Sequence, residues 1–73
     1  MDKKTIYTKG HKDLVLNLIK AREGMGLRQE DVAKRLGKTQ SYISKIEAGQ
    51  RRIDIIQLKE FAKIYKKDLD SFL

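Results

Sequence analysis

Residues 38–45 hold a run of short polar and cationic side chains of the kind that bind nucleic-acid bases. They are Lys38, Thr39, Gln40, Ser41, Ser44 and Lys45. Amide, hydroxyl and ammonium groups reach base edges, and an α-helix fits into the DNA major groove. An ordinary solvated helix face more often carries Glu and Lys pairs, but this run contains no acidic residue. We therefore predict a base-contacting helix over residues 40–48, with contact of Lys45 to phosphate alone as the alternative.

The charge of the chain also indicates a polyanionic partner. Its 73 residues include 17 Lys and Arg against 10 Asp and Glu, a net charge of +7. Residues 1–26 carry a net +3 and residues 27–53 a net +4, whereas residues 54–73 are neutral. Nucleic acid and an anionic membrane surface both fit such a charge. The sequence has no amphipathic segment with basic residues flanking Trp or Phe, so double-stranded DNA is the favoured partner.

Composition argues against several other classes of protein. The chain has no cysteine and one histidine, and its longest aliphatic run is Leu14-Val15-Leu16. These features exclude a disulfide framework and a membrane span, and they disfavour a metal site. No nucleophile–base pair or phosphate-binding glycine loop is present. We therefore expect a cytoplasmic, non-enzymatic protein with no cofactor, bound metal, membrane segment or small-molecule substrate.

The elements that position the polar run are short helices separated by glycines. Apolar spacing predicts helices over residues 11–23 and 29–36, with a tight turn at Gly37 before the third helix. Thr39 is the expected N-cap of that third helix. A flexible basic arm over residues 1–10 is expected to precede the domain, with residues 5–8 favouring an extended stretch.

A fourth helix is expected after Asp54, with Gln57 completing a capping box. Its core stripe is predicted from apolar residues at helical spacing: Ile55, Leu58, Phe61, Ala62 and Tyr65. A short fifth helix is expected after Asp68. The sequence therefore predicts one compact, all-α, five-helix domain over residues 11–73.

Taken together, these motifs resemble the Xre/Cro-type helix-turn-helix family of bacterial and phage repressors. The resemblance covers about residues 12–73. It is carried by residues 21–23, 26–27, 29–33, 36–37 and 40–47, and by Gly49. It implies a lambda-repressor-like fold whose third helix enters the major groove. The implied function is that of a sequence-specific transcriptional regulator, repressor-like, without catalytic activity.

The resemblance also implies roles for individual residues. Gln40, Ser41 and Lys45 would face bases, and Lys38, Thr39 and Tyr42 would be divided between bases and backbone. Packing of Tyr42 against Lys38 or the turn is the alternative to a DNA contact. The DNA backbone contacts would come from Arg28, Gln29, Tyr42, Arg51 and Arg52. Arg22 and Glu47 match a structural ion pair between the first and third helices. Arg28 departs from the usual Ser, Thr or Asn cap of the second helix, which predicts a weaker cap there.

The tail of the chain predicts self-association. Ile56 and Ile64 lie on a second face of the fourth helix and, with Phe72 and Leu73, are expected to form an exposed apolar patch. We interpret this patch as the interface of a homodimer bound to a palindromic operator, although the same residues could instead extend a small core. An antitoxin-like protein, which binds a partner toxin and autoregulates its operon, is the alternative function.

Overall fold

Four α-helices and one 3-10 turn make up residues 9–72, the part of the chain that the computed structural model describes. In chain order they are α1 (Lys9–Gly24), α2 (Gln29–Leu36), α3 (Gln40–Glu47), α4 (Ile55–Tyr65) and the 3-10 turn Leu69–Phe72. The described residues contain no strand. The prediction of an all-α domain is therefore confirmed over this range.

The prediction of a fifth α-helix is wrong. Leu69–Phe72 is a 3-10 helix of 4 residues, in which the Ser71 N–H donates to the Asp68 carbonyl at 2.9 Å. Such a short piece cannot develop the repeated i→i−4 bonds of an α-helix, and 3-10 winding is common at this length. The turn carries Phe72 into the core, where it is only 3% exposed. The expectation that Phe72 belongs to an exposed interface is therefore also wrong.

The first helix begins earlier than the apolar spacing indicated. α1 starts at Lys9 and ends at Gly24, so it takes in the last two residues of the predicted basic arm. Residues 1–8 of that arm, and Leu73 at the other end, lie outside the described residues.

The turn between α2 and α3 depends on the left-handed conformation of Gly37. Its φ is 67°, where a residue with a Cβ is strained. The Lys38 N–H donates back to the Ala33 carbonyl at 2.9 Å, and the Gly37 N–H donates to the Lys34 carbonyl at 3.2 Å. These bonds satisfy carbonyls that the end of α2 leaves open. Together they reverse the chain within three residues and bring α3 against α2.

Side chains cap the helices that follow this turn, as predicted. Thr39 Oγ1 accepts the Tyr42 N–H at 3.2 Å at the start of α3. Before α4, Asp54 Oδ1 accepts the Gln57 N–H at 2.7 Å, and Gln57 Oε1 accepts the Asp54 N–H at 2.9 Å. Arg28 provides no side-chain cap for α2, and only the reverse bond forms, from the Arg28 N–H to Asp31 Oδ2 at 2.8 Å.

The core lies where all four helices and the 3-10 turn meet. Its buried residues are Leu18, Ala21, Val32, Ala33, Ile43, Ile46, Leu58, Phe61, Ala62, Tyr65 and Phe72. The Phe61 and Tyr65 rings stack with their centroids 5.9 Å apart. Ile55 was expected in this stripe but is 51% exposed, because the first turn of α4 extends past the packed region. The core therefore holds α3 by its inner residues, Ile43 and Ile46.

Candidate nucleic-acid interface

The two faces of α3 differ sharply in burial. Ile43 is 0% and Ile46 is 1% exposed on the inner face. On the outer side, all six residues predicted to contact bases are exposed: Lys38, Thr39, Gln40, Ser41, Ser44 and Lys45. Because the inner face is fixed in the core, the outer face is presented to solvent in a defined orientation.

A cationic depression of about 460 Å³ lies at the N-terminal end of α3. It is lined by Gly37, Lys38, Thr39, Ser41, Tyr42, Lys45 and Arg51. The lining thus brings three cations together with three hydroxyl side chains and, among the described residues, contains no carboxylate. Within residues 9–72, none of these three cations forms an ion pair with an acidic residue. This combination of charge and donors suits an anionic backbone.

Tyr42 lies at the centre of this cationic group. Its ring has Lys38 Nζ at 5.4 Å and Arg51 Cζ at 4.7 Å from the centroid. Its Oη accepts a hydrogen bond from Gln57 Nε2 at 2.7 Å. Packing of Tyr42 against Lys38 was one of the two expectations for this residue, but the sequence gave no sign of the link to α4.

The opposite end of α3 is tied to α1 by the Arg22–Glu47 ion pair. Arg22 Nε donates to Glu47 Oε2 at 2.7 Å and Arg22 Nη2 to Glu47 Oε1 at 3.0 Å, so the pair is bidentate. A third donor, Arg22 Nη1, reaches the Leu27 carbonyl at 2.8 Å. The two side chains are only 14% and 7% exposed. The hydrogen bond to Glu47 raises the pKa of the Arg22 guanidinium above its ordinary value.

Gln29, predicted to contact phosphate, belongs to this same buried group. Its Nε2 donates to Glu47 Oε1 at 3.0 Å, which links α2 to α3. An amide nitrogen carries two N–H groups, so one donor remains for another acceptor. This bond was not predicted from the sequence. The two residues are 18 positions apart, so no local sequence motif indicates it.

The remaining predicted backbone contacts are all arginines on the surface. Arg51 and Arg52 are exposed in the loop that follows α3. Arg28 is 77% exposed and lies beside two carboxylates, Glu30 Oε1 at 3.2 Å and Asp31 Oδ2 at 3.7 Å. A phosphate at Arg28 therefore has to compete with acidic neighbours, whereas one at Arg51 or Arg52 does not.

Comparison with known proteins identifies the family. The model of the helix-turn-helix family HTH_3 matches residues 18–72, more than half of the chain. The chain belongs to this family. No curated protein and no solved structure matches it. The match covers α2, Gly37 and α3, which are the two helices and the turn of the motif. The suspected relation to Xre/Cro-type helix-turn-helix proteins is thereby confirmed, and the protein is a DNA-binding regulator.

The predicted interface residues of this helix-turn-helix protein are not brought together as one patch. Ile56 is 67% exposed on α4, whereas Ile64 is half-buried against the core and Phe72 is inside it. Ile55, in contrast, is exposed directly beside Ile56. The exposed apolar surface of α4 is therefore its first turn, next to the loop that carries Arg51 and Arg52.

The described range contains neither a membrane-spanning helix nor a group of metal ligands. Among residues 9–72, no helix has both the length and the hydropathy to cross a bilayer. In the same range, His, Asp and Glu side chains form no group of three or more that could hold a metal ion.

Proposed function

We propose that this helix-turn-helix protein is a sequence-specific transcriptional repressor that acts in the cytoplasm as a dimer on a palindromic operator. The observation that carries the proposal is the outer face of α3, which is polar, exposed and bordered by a depression with three cations and no carboxylate. Such a face suits entry into the major groove with its N-terminal residues against base edges.

The residues that read bases are Gln40, Ser41 and Ser44, together with Lys45 one turn after Ser41. Gln40 carries both an amide donor and a carbonyl acceptor, the pair of groups that recognises adenine in the major groove. Hydroxyl groups accept or donate, and the Lys45 ammonium donates to guanine acceptors. The capping bond leaves the Thr39 hydroxyl proton available as a further donor at the start of the helix.

The residues that bind phosphates surround this face. Arg51 and Arg52 approach the backbone from the loop after α3, and Lys38 does so from the turn before it. The remaining Gln29 donor and the exposed N–H groups at the start of α2 provide a further contact, which the helix dipole favours. Arg28 completes the set of direct backbone contacts.

Dimerisation through the first turn of α4 accounts for the exposed isoleucines. Ile55 and Ile56 are 51% and 67% exposed, and burying them against a second copy removes the exposed large apolar side chains of α4 from water. A two-fold axis there brings two copies of α3 onto successive major grooves, about 34 Å apart. Ile56→Asp is expected to give a monomer in sedimentation, with Lys59→Gln, which lowers the net charge by the same amount, as the control on the same helix. A dimer that survives Ile56→Asp contradicts this interface.

The same two isoleucines support the antitoxin alternative, in which α4 binds a partner protein while α3 binds the operator of their shared operon. A toxin gene beside this one, with co-purification of its product, would favour that function. A homodimer that copurifies with nothing else favours the repressor.

Selection of bound sites from random DNA is the experiment that tests the proposal most directly. We expect one enriched motif, made of two inverted half-sites spaced by about one helical turn. Affinity for that motif is then measured against salt. If the dimer neutralises about six to eight phosphates, log K falls against log salt with a slope of about −5 to −7. No enriched motif, or a slope near zero, contradicts the proposal.

A further inference from the structure

We infer that Tyr42 is a positioning residue, whose ring holds Lys38 and Arg51 ready for the DNA backbone and whose own orientation is fixed by Gln57. The inference rests on the proposed DNA-binding function and deepens it. It assigns the control of backbone affinity to an aromatic ring and to an amide on α4, outside the helix-turn-helix motif itself.

The first step is the contact of two cations with one ring. Lys38 precedes α3 and Arg51 follows it, yet their charged groups lie 5.4 and 4.7 Å from the Tyr42 centroid. Both distances are within the range of a cation–π attraction. Because Lys38 and Arg51 have no carboxylate partner among residues 9–72, the ring is the attractive group that the structure gives them. Arg52, the next residue, has no such ring contact within residues 9–72.

The second step is the fixing of the ring. Gln57 Nε2 donates to Tyr42 Oη at 2.7 Å, while Gln57 Oε1 accepts the Asp54 N–H at 2.9 Å. Both ends of the Gln57 amide are therefore engaged, and its orientation is set by the cap of α4. Tyr42 is held in turn, so the ring keeps one position at the edge of the depression.

The consequence concerns the entropy of binding. Long cationic side chains lose freedom when they bind a phosphate, and contacts that order them beforehand reduce that loss. A guanidinium against a ring keeps its in-plane N–H donors for an anion. Since phosphates are common to all sequences, the ring raises affinity for the operator and for random DNA alike.

A double-mutant cycle tests this coupling. We expect Tyr42→Leu to weaken binding about fivefold to tenfold on both operator and random DNA. The salt slope stays unchanged because every charge remains. Arg51→Met should cost less affinity in the Tyr42→Leu background than in the wild type. Arg52→Met, the matched control, should cost the same factor in both backgrounds. Equal costs for Arg51→Met in the two backgrounds overturn the inference.

Two conservative variants separate the ring from its hydroxyl. Tyr42→Phe keeps the ring and should lose about twofold in affinity, as should Gln57→Leu, which leaves all α3 side chains in place. If Tyr42→Phe loses as much binding as Tyr42→Leu, the hydroxyl acts on DNA and the inference is wrong. Thermal unfolding of each variant shows whether it is folded. If Tyr42→Leu does not fold, the affinities of the two single variants Gln57→Leu and Tyr42→Phe decide the outcome.

A measurement without DNA distinguishes failure of the inference from failure of the proposed function. In NMR spectra of the free protein, the Arg51 side-chain protons should be shifted upfield by the Tyr42 ring current. The shift should disappear in Tyr42→Leu and persist in Tyr42→Phe. Arg51 protons at ordinary positions in the wild type overturn the inference, even if the protein binds its operator. A wild type with the ring shift but no salt-dependent DNA binding overturns the proposed function instead.

Discussion

The two ends of α3 carry charge in opposite ways. At the C-terminal end, the Glu47 side chain is 7% exposed. It receives two hydrogen bonds from Arg22 and a third from Gln29. At the N-terminal end, Lys38 and Arg51 are exposed, their charged groups lie over the Tyr42 ring, and they form no ion pair among the described residues. The Arg22 and Glu47 charges at the C-terminal end neutralise each other and are largely shielded from solvent. The cations at the N-terminal end are available to an anionic partner.

This difference separates positioning from binding along a single helix. A buried ion pair gives little net stability, because desolvation offsets the attraction, but it fixes the relative position of the elements that carry it. Exposed cations contribute little to folding and are available to an anionic partner. Substitutions at the Glu47 end should therefore change the free energy of unfolding, and those at the Lys38 end should change DNA affinity.

The largest expected effect is on stability, from Glu47→Leu. This change leaves the part-buried Arg22 guanidinium without its carboxylate partner, and we expect the free energy of unfolding to fall by about 2–3 kcal/mol. Urea denaturation measures it. Adding Arg22→Met should recover part of the loss, but not all of it, because the Leu27 carbonyl then loses its donor. Lys45→Met at the exposed face is the control and should stay within about 0.5 kcal/mol. A loss below about 1 kcal/mol for Glu47→Leu contradicts the assigned role.

Local features of this fold could be predicted from the sequence, and distant partnerships could not. The turn at Gly37 and the caps at Thr39 and Asp54 depend on residues at most a few positions apart, so their chemistry is visible in the chain. The Arg22–Glu47 pair was available only through the resemblance to a family. Ile55 lies on the same helical stripe as Leu58, and only the packing shows that the stripe extends past the core.

The parts of the site that escaped prediction involve long-range side-chain bonds. Gln29 and Gln57 donate to Glu47 and Tyr42, which are 18 and 15 positions away. Such bonds depend on how α2 and α4 pack against α3, and neither residue type nor spacing encodes that packing. The exposed outer face of α3 could be predicted because it lies opposite the buried face, and the spacing of apolar residues gives the position of that buried face.

The second prediction concerns base recognition at the N-terminal end of α3. Gln40→Ala should weaken operator binding by about 1–3 kcal/mol and leave binding to random DNA nearly unchanged, because the contact proposed for the amide is with a base edge. Fluorescence anisotropy with the selected operator and a scrambled duplex measures both. Arg52→Met, which removes a phosphate contact, is the control and should weaken both complexes equally. Equal losses for Gln40→Ala on the two duplexes would show that Gln40 does not read sequence.

The third prediction compares the Thr39 cap at the N-terminal end of α3 with the Arg22–Glu47 ion pair at its C-terminal end. Thr39→Ala removes the acceptor of the Tyr42 N–H and should lower the free energy of unfolding by about 1 kcal/mol. This is less than the Glu47→Leu loss, because only one exposed cap is lost. Thr39→Ser keeps the acceptor and should leave the free energy of unfolding nearly unchanged. Urea denaturation measures both variants. A Thr39→Ala loss as large as that of Glu47→Leu would contradict the contrast between the two ends.

The smallest effect is expected from Asp31, an exposed carboxylate that contrasts with buried Glu47. The hydrogen bond from the Arg28 backbone N–H lowers the pKa of Asp31 below its ordinary value of 3.8. The folded protein therefore binds this proton more weakly than the unfolded chain does. Its contribution to stability is present above pH 3.8 and is lost as the pH falls through the lowered pKa.

Thermal melts of the wild type and Asp31→Asn at a series of pH values test this contribution. The wild type should be more stable at neutral pH, and the difference should shrink in acid. Added salt should weaken the coulombic part of the Asp31 contribution, since solvent ions screen exposed charges. The same salt should leave the Glu47→Leu loss nearly unchanged, because that pair is shielded from solvent. A stability difference at Asp31 that is constant with pH would mean that its charge does not act in α2.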